Sequence, residues 1–421
     1  MPIADLIIEN AAQIIRFEWR GNEPGTVMGW DFQILENSAV AVQAGRTAAV
    51  GNQAEIHRDW FRQGITEIVD ARRKIVLPGF VDSHTHPVFM NTREQEFESR
   101  LQGKTYEEIA ALGGGIRSSI RGVREASKEE LLERVLRRMD RFIELGTTTV
   151  EAKSGYGLSF EAEIKSLEVL RDANEAHPIT IVPTFLGAHE VPDEYRRRRE
   201  DYIRLLTDVM IPAAAGQKLA EYCDVYCEQG VYSAAETRKI CAAAREAGLG
   251  LKIHADQFHA AGCTELAAEL GAVSVDHLEQ VTEEGVERLR HSGSVATLLP
   301  GSVFFIGSDS YPPARKLIEA GVPVALATDF NPGSSMTQSM PLMTTFAGIF
   351  MKMTPAEAIV ASTIQGAKAL RRENEIGNIS KGYRADMVIF DAGNYQMIPY
   401  YFGGNLVSSV IKNGKIVNRR S

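Results

Sequence analysis

The chain has 421 residues, 44% hydrophobic and 24% charged, which is the composition of a folded globular protein and excludes disordered and fibrous classes. Its 46 Lys and Arg against 55 Asp and Glu give a formal charge of -9, so we expect no nucleic-acid partner. The apolar runs end after about ten residues, far short of the ~20 that a membrane helix needs, so no membrane partner is expected either. The length predicts one large domain and a smaller one.

The start of the chain and its cysteines bear on the compartment. The first residues show no basic region followed by an apolar stretch, so no secretory signal is predicted. Four cysteines (Cys223, Cys227, Cys241 and Cys263) are too few and too scattered for a disulfide framework. We therefore expect a cytoplasmic location, a reducing compartment, and buried structural thiols at Cys223 and Cys227.

Both ends of the chain are rich in short β patterns and differ from the middle. Residues 1–77 show partly alternating segments separated by turn residues, and the same style returns in residues 372–421, where Asn413-Gly414 is a strong hairpin signal. Because chain ends usually lie close together at the surface, we expect both pieces to form one small composite β domain.

The middle, residues 78–371, alternates short apolar runs with amphipathic stretches of helical length. This alternation is typical of parallel strands joined by crossover helices, and eight strands close a (β/α)₈ TIM barrel. The eight strand candidates are 79–84, 147–152, 179–186, 223–227, 250–254, 273–277, 294–299 and 323–328.

Residues able to bind metal follow several of these strands. His84 and His86 are two apart, so on a strand both imidazoles point the same way and can reach one ion. Alternatively, the pair serves as hydrogen-bonding groups at a strand end. His254 after the fifth strand and Asp329 after the eighth add a third nitrogen and a carboxylate. Because barrel strand ends converge, the four together predict a hydrolytic site for a Zn or Fe type of metal.

A run of three glycines, Gly113-Gly114-Gly115, lacks the Lys-Ser/Thr that follows in a phosphate-binding loop. We therefore interpret it as a flexible or tight loop near the site and not as a phosphate cradle.

The segment PGFVDSHTHP, the isolated His254, the pair Asp276-His277 and Asp329 resemble the amidohydrolase superfamily. The resemblance covers essentially the whole chain. It implies an α/β fold with a (β/α)₈ barrel and a second, smaller β-sandwich domain built from both termini. In two-metal members a lysine ends strand four, whereas here that strand ends in Cys227-Glu228, which implies a single metal ion.

Further segments narrow the resemblance. A series of segments resembles, in sequence and in order, the imidazolonepropionase family of histidine degradation. The segments are TREQEF, LGGGIRSSIRGVREAS, TTTVEAKSGYGL, FLGAHEVPDEY, KIHADQ, SVDHLE, TLLPG and ATDFNPGSS. That family opens the ring of 4-imidazolone-5-propanoate with water to give N-formimino-L-glutamate. The resemblance thus implies a small-molecule substrate and one divalent or trivalent metal ion, Zn or Fe, whose bound hydroxide attacks the ring carbonyl.

The resemblance also implies catalytic roles. His84, His86, His254 and Asp329 become the metal ligands, and Asp329 also moves a proton from water to the departing ring nitrogen. His277 becomes the donor to the substrate carbonyl as negative charge develops there. The alternative for His277 is a core histidine bonded to the backbone.

Substrate contacts are implied at seven positions. Arg93 suits the substrate carboxylate, although an isolated loop arginine is usually solvated. Some family members carry a glutamate, a candidate for proton transfer, where this chain has Gln257. Because an amide cannot transfer a proton, we expect Gln257 to act as a catalytic residue by donating a hydrogen bond to the substrate ring. The implied substrate contacts are Arg93, Tyr156, His189, Gln257, Asn331, Gly333 and Ser334.

Two other functions compete with this interpretation. A deaminase acting on a purine, pyrimidine or related heterocycle is the rival enzyme, but such enzymes commonly have the glutamate that Gln257 replaces. The alternative that is not an enzyme is a metal-free scaffold with a protein-interaction surface, although all four candidate metal ligands are present.

A homodimer is expected only because it is the commonest oligomer.

Overall fold

The computed structural model describes residues 2–21, 23–104 and 114–419. Of the three consecutive glycines, Gly113 lies outside the described residues. Gly115 has a φ of 76° directly before a helix, a backbone conformation that side chains disfavour.

The amino-terminal region is built from short strands with one helix. Its strands are β1 Leu6–Glu9, β2 Gln13–Trp19, β3 Trp30–Leu35, β4 Ser38–Gln43, β5 Arg46–Asn52, β6 Glu67–Asp70 and β7 Ile75–Pro78.

The middle of the chain forms one parallel sheet in which each strand pairs with the next along the chain. All eight predicted strands are confirmed, with bounds shifted by up to two residues. They are β8 Phe80–Asp82, β9 Thr147–Lys153, β10 Thr180–Ala188, β11 Tyr222–Cys227, β12 Gly250–Ala255, β13 Ser274–His277, β14 Val295–Leu298 and β15 Val324–Leu326.

Contacts between the segments of the first and last strands bring the two edges of this sheet together. The backbone N–H and the hydroxyl of Thr328 donate to the carboxylate of Asp82 at 3.0 and 2.6 Å. Just beyond, Thr85 and Phe330 form a parallel bridge. The sheet is therefore a TIM-like barrel, as predicted.

The last strands are β16 Met387–Phe390, β17 Val407–Lys412 and β18 Lys415–Arg419. The termini share two sheets, ordered β5-β4-β1-β6 and β18-β17-β16-β7-β2-β3. Strand alternation gives the second sheet two buried faces: Ile14 and Val76 pack toward the first sheet, whereas Ile15 and Leu77 pack toward the barrel. The composite sandwich expected from both termini is confirmed, and its exact limits at residues 77 and 372 stay a prediction.

Helices cover the barrel, and three of them begin with a capping box in which a Ser or Thr pairs with a Glu three residues later, at Ser127, Ser233 and Thr354. The α-helices are α1 Gln53–Trp60, α2 Glu94–Leu101, α3 Ile116–Glu125, α4 Lys128–Glu144, α5 Phe160–Ala176, α6 Arg199–Leu205, α7 Ile211–Gly216, α8 Ala234–Glu246, α9 Cys263–Glu269, α10 Glu283–Ser292, α11 Pro300–Ile306, α12 Ala314–Glu319, α13 Met340–Met351, α14 Pro355–Ser362, α15 Ile364–Lys368 and α16 Met397–Tyr400. A 3₁₀ turn spans Asp193–Tyr195, and a π-helical turn spans Leu206–Met210. Among the described residues, no helix is both long enough and apolar enough to cross a membrane.

The expectation of free thiols is wrong at Cys227. Cys227 ends β11 and Cys263 begins α9, and the two form a disulfide with their Cα atoms 5.7 Å apart. Their separation of 36 residues gives no hint of this bond, because the cysteines meet only through the adjacency of β11 and β12 in the barrel. Cys223 is a buried free thiol, as expected, and so is Cys241.

Candidate metal and substrate site

Strand alternation places polar side chains inside the barrel. On β12, Lys252 and His254 are two residues apart and both are buried. On β11, Asp224 and Tyr226 are also two residues apart, with Asp224 buried and Tyr226 partly buried. The register sets His254 opposite Tyr226 on one side and opposite Asp276 of β13 on the other. Charged residues two apart on neighbouring strands therefore form layers in the barrel interior.

The predicted metal ligands lie at the carboxyl end of this interior. The Nε2 atoms of His84 and His86 are 3.2 Å apart, and Asp329 Oδ1 lies 3.5 and 3.3 Å from them. The ligand atoms of these three residues all lie within 4.8 Å of one another. A second such group joins His84 to His254 and His277, so the two groups share His84 and together include all four predicted ligands and His277.

The hydrogen bonds of the histidines fix which nitrogen faces this cluster. Nδ1 of His84 donates to Asp276 at 2.6 Å, and Nδ1 of His254 donates to Asp224 at 3.1 Å. Each Nε2 therefore carries its lone pair toward the centre. His254 Nε2 is buried and has no hydrogen-bond partner, which is costly unless an ion occupies the site. The donor set thus fits a metal ion.

Burial and charge favour neutral His84 and an ionised Asp329. Burial, with the nearby charge of Lys153, lowers the pKa of His84 well below its usual range. Burial alone would raise the pKa of Asp329, but hydrogen bonding and charge from His86 outweigh it and lower the pKa to about 2. The hydroxyl of Ser302 also donates to Asp329. These are the protonation states in which both side chains ligate metal.

Two of the site residues have left-handed backbone, with φ of 51° at Asp329 and 82° at His277. Such backbone is disfavoured for residues with a side chain and tends to cluster at functional sites. His277 Nδ1 lies 3.5 Å from the buried carboxylate of Glu279, which raises the pKa of His277 against the opposing effect of burial. Glu279 thereby favours a histidine that can donate a proton.

A cavity of about 230 Å³ opens above the ligands. Of the twelve residues predicted for the site, eleven line it, and His84 lies fully buried behind them. The lining predicted residues are His86, Arg93, Tyr156, His189, His254, Gln257, His277, Asp329, Asn331, Gly333 and Ser334.

Arg93 lies in this cavity and is not a solvated loop residue. Its Nε and Nη2 donate to Glu96 at 2.8 and 2.6 Å, which leaves the other edge of the guanidinium for a ligand. A Cβ added to Gly333 would collide with Nη1 of Arg93, so a larger residue at this position would displace the end of the Arg93 side chain. Arg100 adds a second cation and donates to the carbonyl of Gly333 at 3.2 Å.

The loop after β15 is held by Asn331. The backbone N–H groups of Gly333 and Ser334 both donate to Oδ1 of Asn331 at 2.8 Å, so neither is left for a ligand. The amide of Asn331 in turn donates to the carbonyl of Asp329 and to the hydroxyl oxygen of Ser334. Asn331 therefore holds the turn, and the Ser334 hydroxyl is the group that can donate to a ligand.

On the opposite wall, Tyr226 donates to Oε1 of Gln257 at 2.7 Å, so the amide NH₂ of Gln257 can donate to a ligand. His189 Nδ1 donates to the carbonyl of Gly155 at 2.9 Å. Burial and the neighbouring His86 lower the pKa of His189 to about 3, so it accepts through Nε2. Burial raises the pKa of Tyr156, which stays a phenol donor.

Sequence reasoning missed the residues that support the site. Asp224 is a lone acid in a buried strand, and this placement was a usable signal, as was the position of Asp276 beside His277. Glu96, Arg100 and Tyr226 gave no such signal, because only the folded loops bring them to the cavity.

Comparisons agree with this geometry. A profile of the amidohydrolase family matches residues 75–417. A protein of Geobacillus thermodenitrificans named imidazolonepropionase is 50% identical over 388 residues, covering 92% of this chain and 91% of its own length. One of Clostridium tetani with the same name is 45% identical over the whole of both chains.

Solved structures agree on the fold. Escherichia coli guanine deaminase superposes with a TM-score of 0.77 at 15% identity, covering 99% of this chain and 100% of that one. The 5-methylcytosine deaminase of Klebsiella pneumoniae gives 0.73 at 16% identity, covering 99% and 98%. Identity this low supports the fold alone, whereas the sequence relatives carry the family. The chain belongs to the amidohydrolase family and, within it, to the imidazolonepropionases.

Proposed function

We propose that this chain hydrolyses 4-imidazolone-5-propanoate to N-formimino-L-glutamate. The observation that carries the proposal is a single cavity with the His and Asp cluster at its base and the clamped Arg93 on its wall. The cluster suits hydrolysis of the ring amide, and Arg93 suits the propanoate carboxylate. Relatives that bear the name of this activity are 42–50% identical to the chain.

His84, His86, His254 and Asp329 would hold one metal ion, and we infer Zn or Fe from the three nitrogens and one carboxylate oxygen. When bound, the metal supplies Lewis acidity and a water of lowered pKa. Neutral histidines with Nδ1 tied to carboxylates keep their Nε2 lone pairs available for it.

Proton transfer falls to Asp329 and His277. Asp329 is ionised and can take a proton from the attacking water and deliver it to the ring nitrogen when the C–N bond breaks. His277, held by Glu279, donates to the carbonyl oxygen as it gains negative charge. Gln257 donates through its NH₂ group and orients the ring without moving a proton.

The substrate carboxylate would lie against the open edge of Arg93, where the guanidinium can donate two parallel hydrogen bonds. Tyr156 and Ser334 would add hydroxyl donors, and His189 an acceptor. These contacts lie away from the ring carbonyl, so they determine binding more than the rate of the chemical step.

The direct test is consumption of freshly generated 4-imidazolone-5-propanoate by the purified enzyme, followed in the ultraviolet. We expect substrate loss and formation of N-formimino-L-glutamate, both abolished by a chelator and restored by Zn²⁺ or Fe²⁺. Guanine and 5-methylcytosine serve as control substrates. Deamination of either one, with no turnover of the imidazolone at full metal occupancy, would overturn the proposal.

Replacing Asp329 with Asn removes the proton-transfer group while keeping the side-chain shape. We expect kcat to fall at least about 100-fold, the typical contribution of a general base. Metal content is measured alongside, to separate lost metal from lost proton transfer. Asp140, 69% exposed on α4, gives the control variant Asp140→Asn. A metal-loaded Asp329→Asn enzyme with near wild-type kcat would remove Asp329 from the mechanism.

Removing the guanidinium in Arg93→Ala should raise KM about 10- to 100-fold, the worth of a charged hydrogen bond, with a smaller change in kcat. Gly333→Ala should shift KM in the same direction, because its Cβ displaces Arg93. Arg137→Ala, at a 67% exposed arginine of α4, is the control. If kcat falls in Arg93→Ala and KM does not change, Arg93 acts in the transition state instead.

We also propose that the enzyme is a cytoplasmic homodimer. In support, Ile349 on α13 and Tyr400 and Phe402 at α16 are 56%, 80% and 74% exposed, and α13 is joined to α16 by a hydrogen bond from Thr345 to Pro399. Light scattering should give twice the chain mass, and Tyr400→Ser with Phe402→Ser should give the monomer mass. Trp19→Ser, at another exposed aromatic, is the control. A monomeric wild-type protein would refute the dimer.

A further inference from the structure

Lys153 has no part in the chemistry described so far, although it lies beneath the metal site. It ends β9, and its side chain is fully buried. Its Nζ donates to Glu151 at 2.6 Å and lies 2.7 Å from Asp224 and 3.9 Å from Asp276. One ammonium therefore neutralises part of the charge of three buried carboxylates on three different strands.

Each of these carboxylates supports a metal ligand. Asp276 accepts from Nδ1 of His84, and Asp224 accepts from Nδ1 of His254. Glu151 accepts, at 3.3 Å, from the backbone N–H of Thr85, which lies between His84 and His86 just after β8. Two segments that carry proposed ligands, residues 84–86 and β12, thus depend on partners of a single lysine.

The charges explain why the lysine stays protonated there. Burial alone would lower the pKa of Lys153, but the carboxylates of Asp224, Glu151 and Asp276 outweigh burial and raise it. Without the ammonium, like charges this close together inside the protein would repel each other and move apart. Such a movement would loosen the hydrogen bonds that orient His84 and His254.

We propose that Lys153 is a positioning residue of the metal centre, which holds Glu151, Asp224 and Asp276 where they orient the histidine ligands and thereby sets metal affinity. The proposal rests on the metal site proposed above. It differs from a purely structural role, in which loss of Lys153 lowers stability but leaves the affinity of the folded protein unchanged.

Simple electrostatics predicts the opposite change in metal affinity when Lys153 is removed, so the test can separate the two effects. Removing a positive charge near a cation site should strengthen metal binding by Coulomb attraction alone. Loss of positioning should weaken binding, and disruption of the groups behind a metal ligand typically costs 10- to 100-fold in affinity. The direction of the change therefore separates the two effects.

The experiment is a titration of metal-free protein with Zn²⁺ in competition with a chromophoric chelator. For Lys153→Met we expect the Zn²⁺ dissociation constant to rise at least about 10-fold, with native circular dichroism. The visible spectrum of the Co²⁺ form should also change, because the ligand geometry changes. Lys412→Met is the matched control, since Lys412 of β17 is also buried and donates to a carboxylate, Asp386 at 2.6 Å, but lies in the terminal sheet.

The double variant Glu151→Gln with Lys153→Met keeps the net charge of the barrel, and it decides the question if the single variant does not fold. Weaker Zn²⁺ binding in it, with unchanged binding in Lys412→Met, supports the proposal. Unchanged or tighter binding in a folded variant overturns it. If the wild-type protein itself binds no Zn²⁺, the proposed metal site fails and this inference fails with it, whereas wild-type binding with an unaffected variant refutes only the role of Lys153.

Discussion

The contacts that join the first and last strands of the barrel are the constraint on which the site depends. Asp82 accepts two hydrogen bonds from Thr328, and immediately beyond them the carbonyl of His84 accepts from the backbone N–H of Asp329 at 3.1 Å. The proposed ligands from the start and the end of the barrel therefore meet only because the first and last strands come together here. Burying a carboxylate costs free energy, and burial raises the pKa of Asp82 to about 7. The carboxylate is nevertheless needed here, because the two Thr328 groups that donate to it are also buried and require an acceptor.

Buried charged groups are also paired elsewhere in the barrel interior, where they take the place of the aliphatic side chains that usually fill such a barrel. Asp276 and Asp224 accept from the histidines, and Lys153 lies among their carboxylates. His84 and His254 are thereby each left with only one nitrogen that can face the centre. A buried ionic cluster is weak evidence of added stability, which is consistent with the proposed role of this cluster in orienting the two histidines.

The sequence was sufficient for whatever depends on local pattern. Strand alternation and the spacing of His84 and His86 predicted the barrel and its ligands, because period and position along a strand decide which way a side chain points. Pairings across the fold were not predictable in this way. The disulfide of Cys227, the turn held by Asn331 and the clamp of Glu96 on Arg93 depend on which loops meet in space, and no local pattern encodes that.

The two halves of the site differ in how they are built, and this difference has consequences for specificity. The groups that support hydrolysis lie at the ends of buried strands, where register and packing fix them. The groups proposed to select the substrate lie on loops, Arg93 after β8 and Gly333 after β15, and a larger residue at position 333 would displace the Arg93 side chain. Barrels of this shape accommodate different substrates through such loops while the strand ends keep the shared chemistry. Because Arg93 and Gly333 approach each other closely, a substitution in one loop changes the position of groups on the other, whereas the proposed metal ligands lie on the strand ends and are not part of this contact.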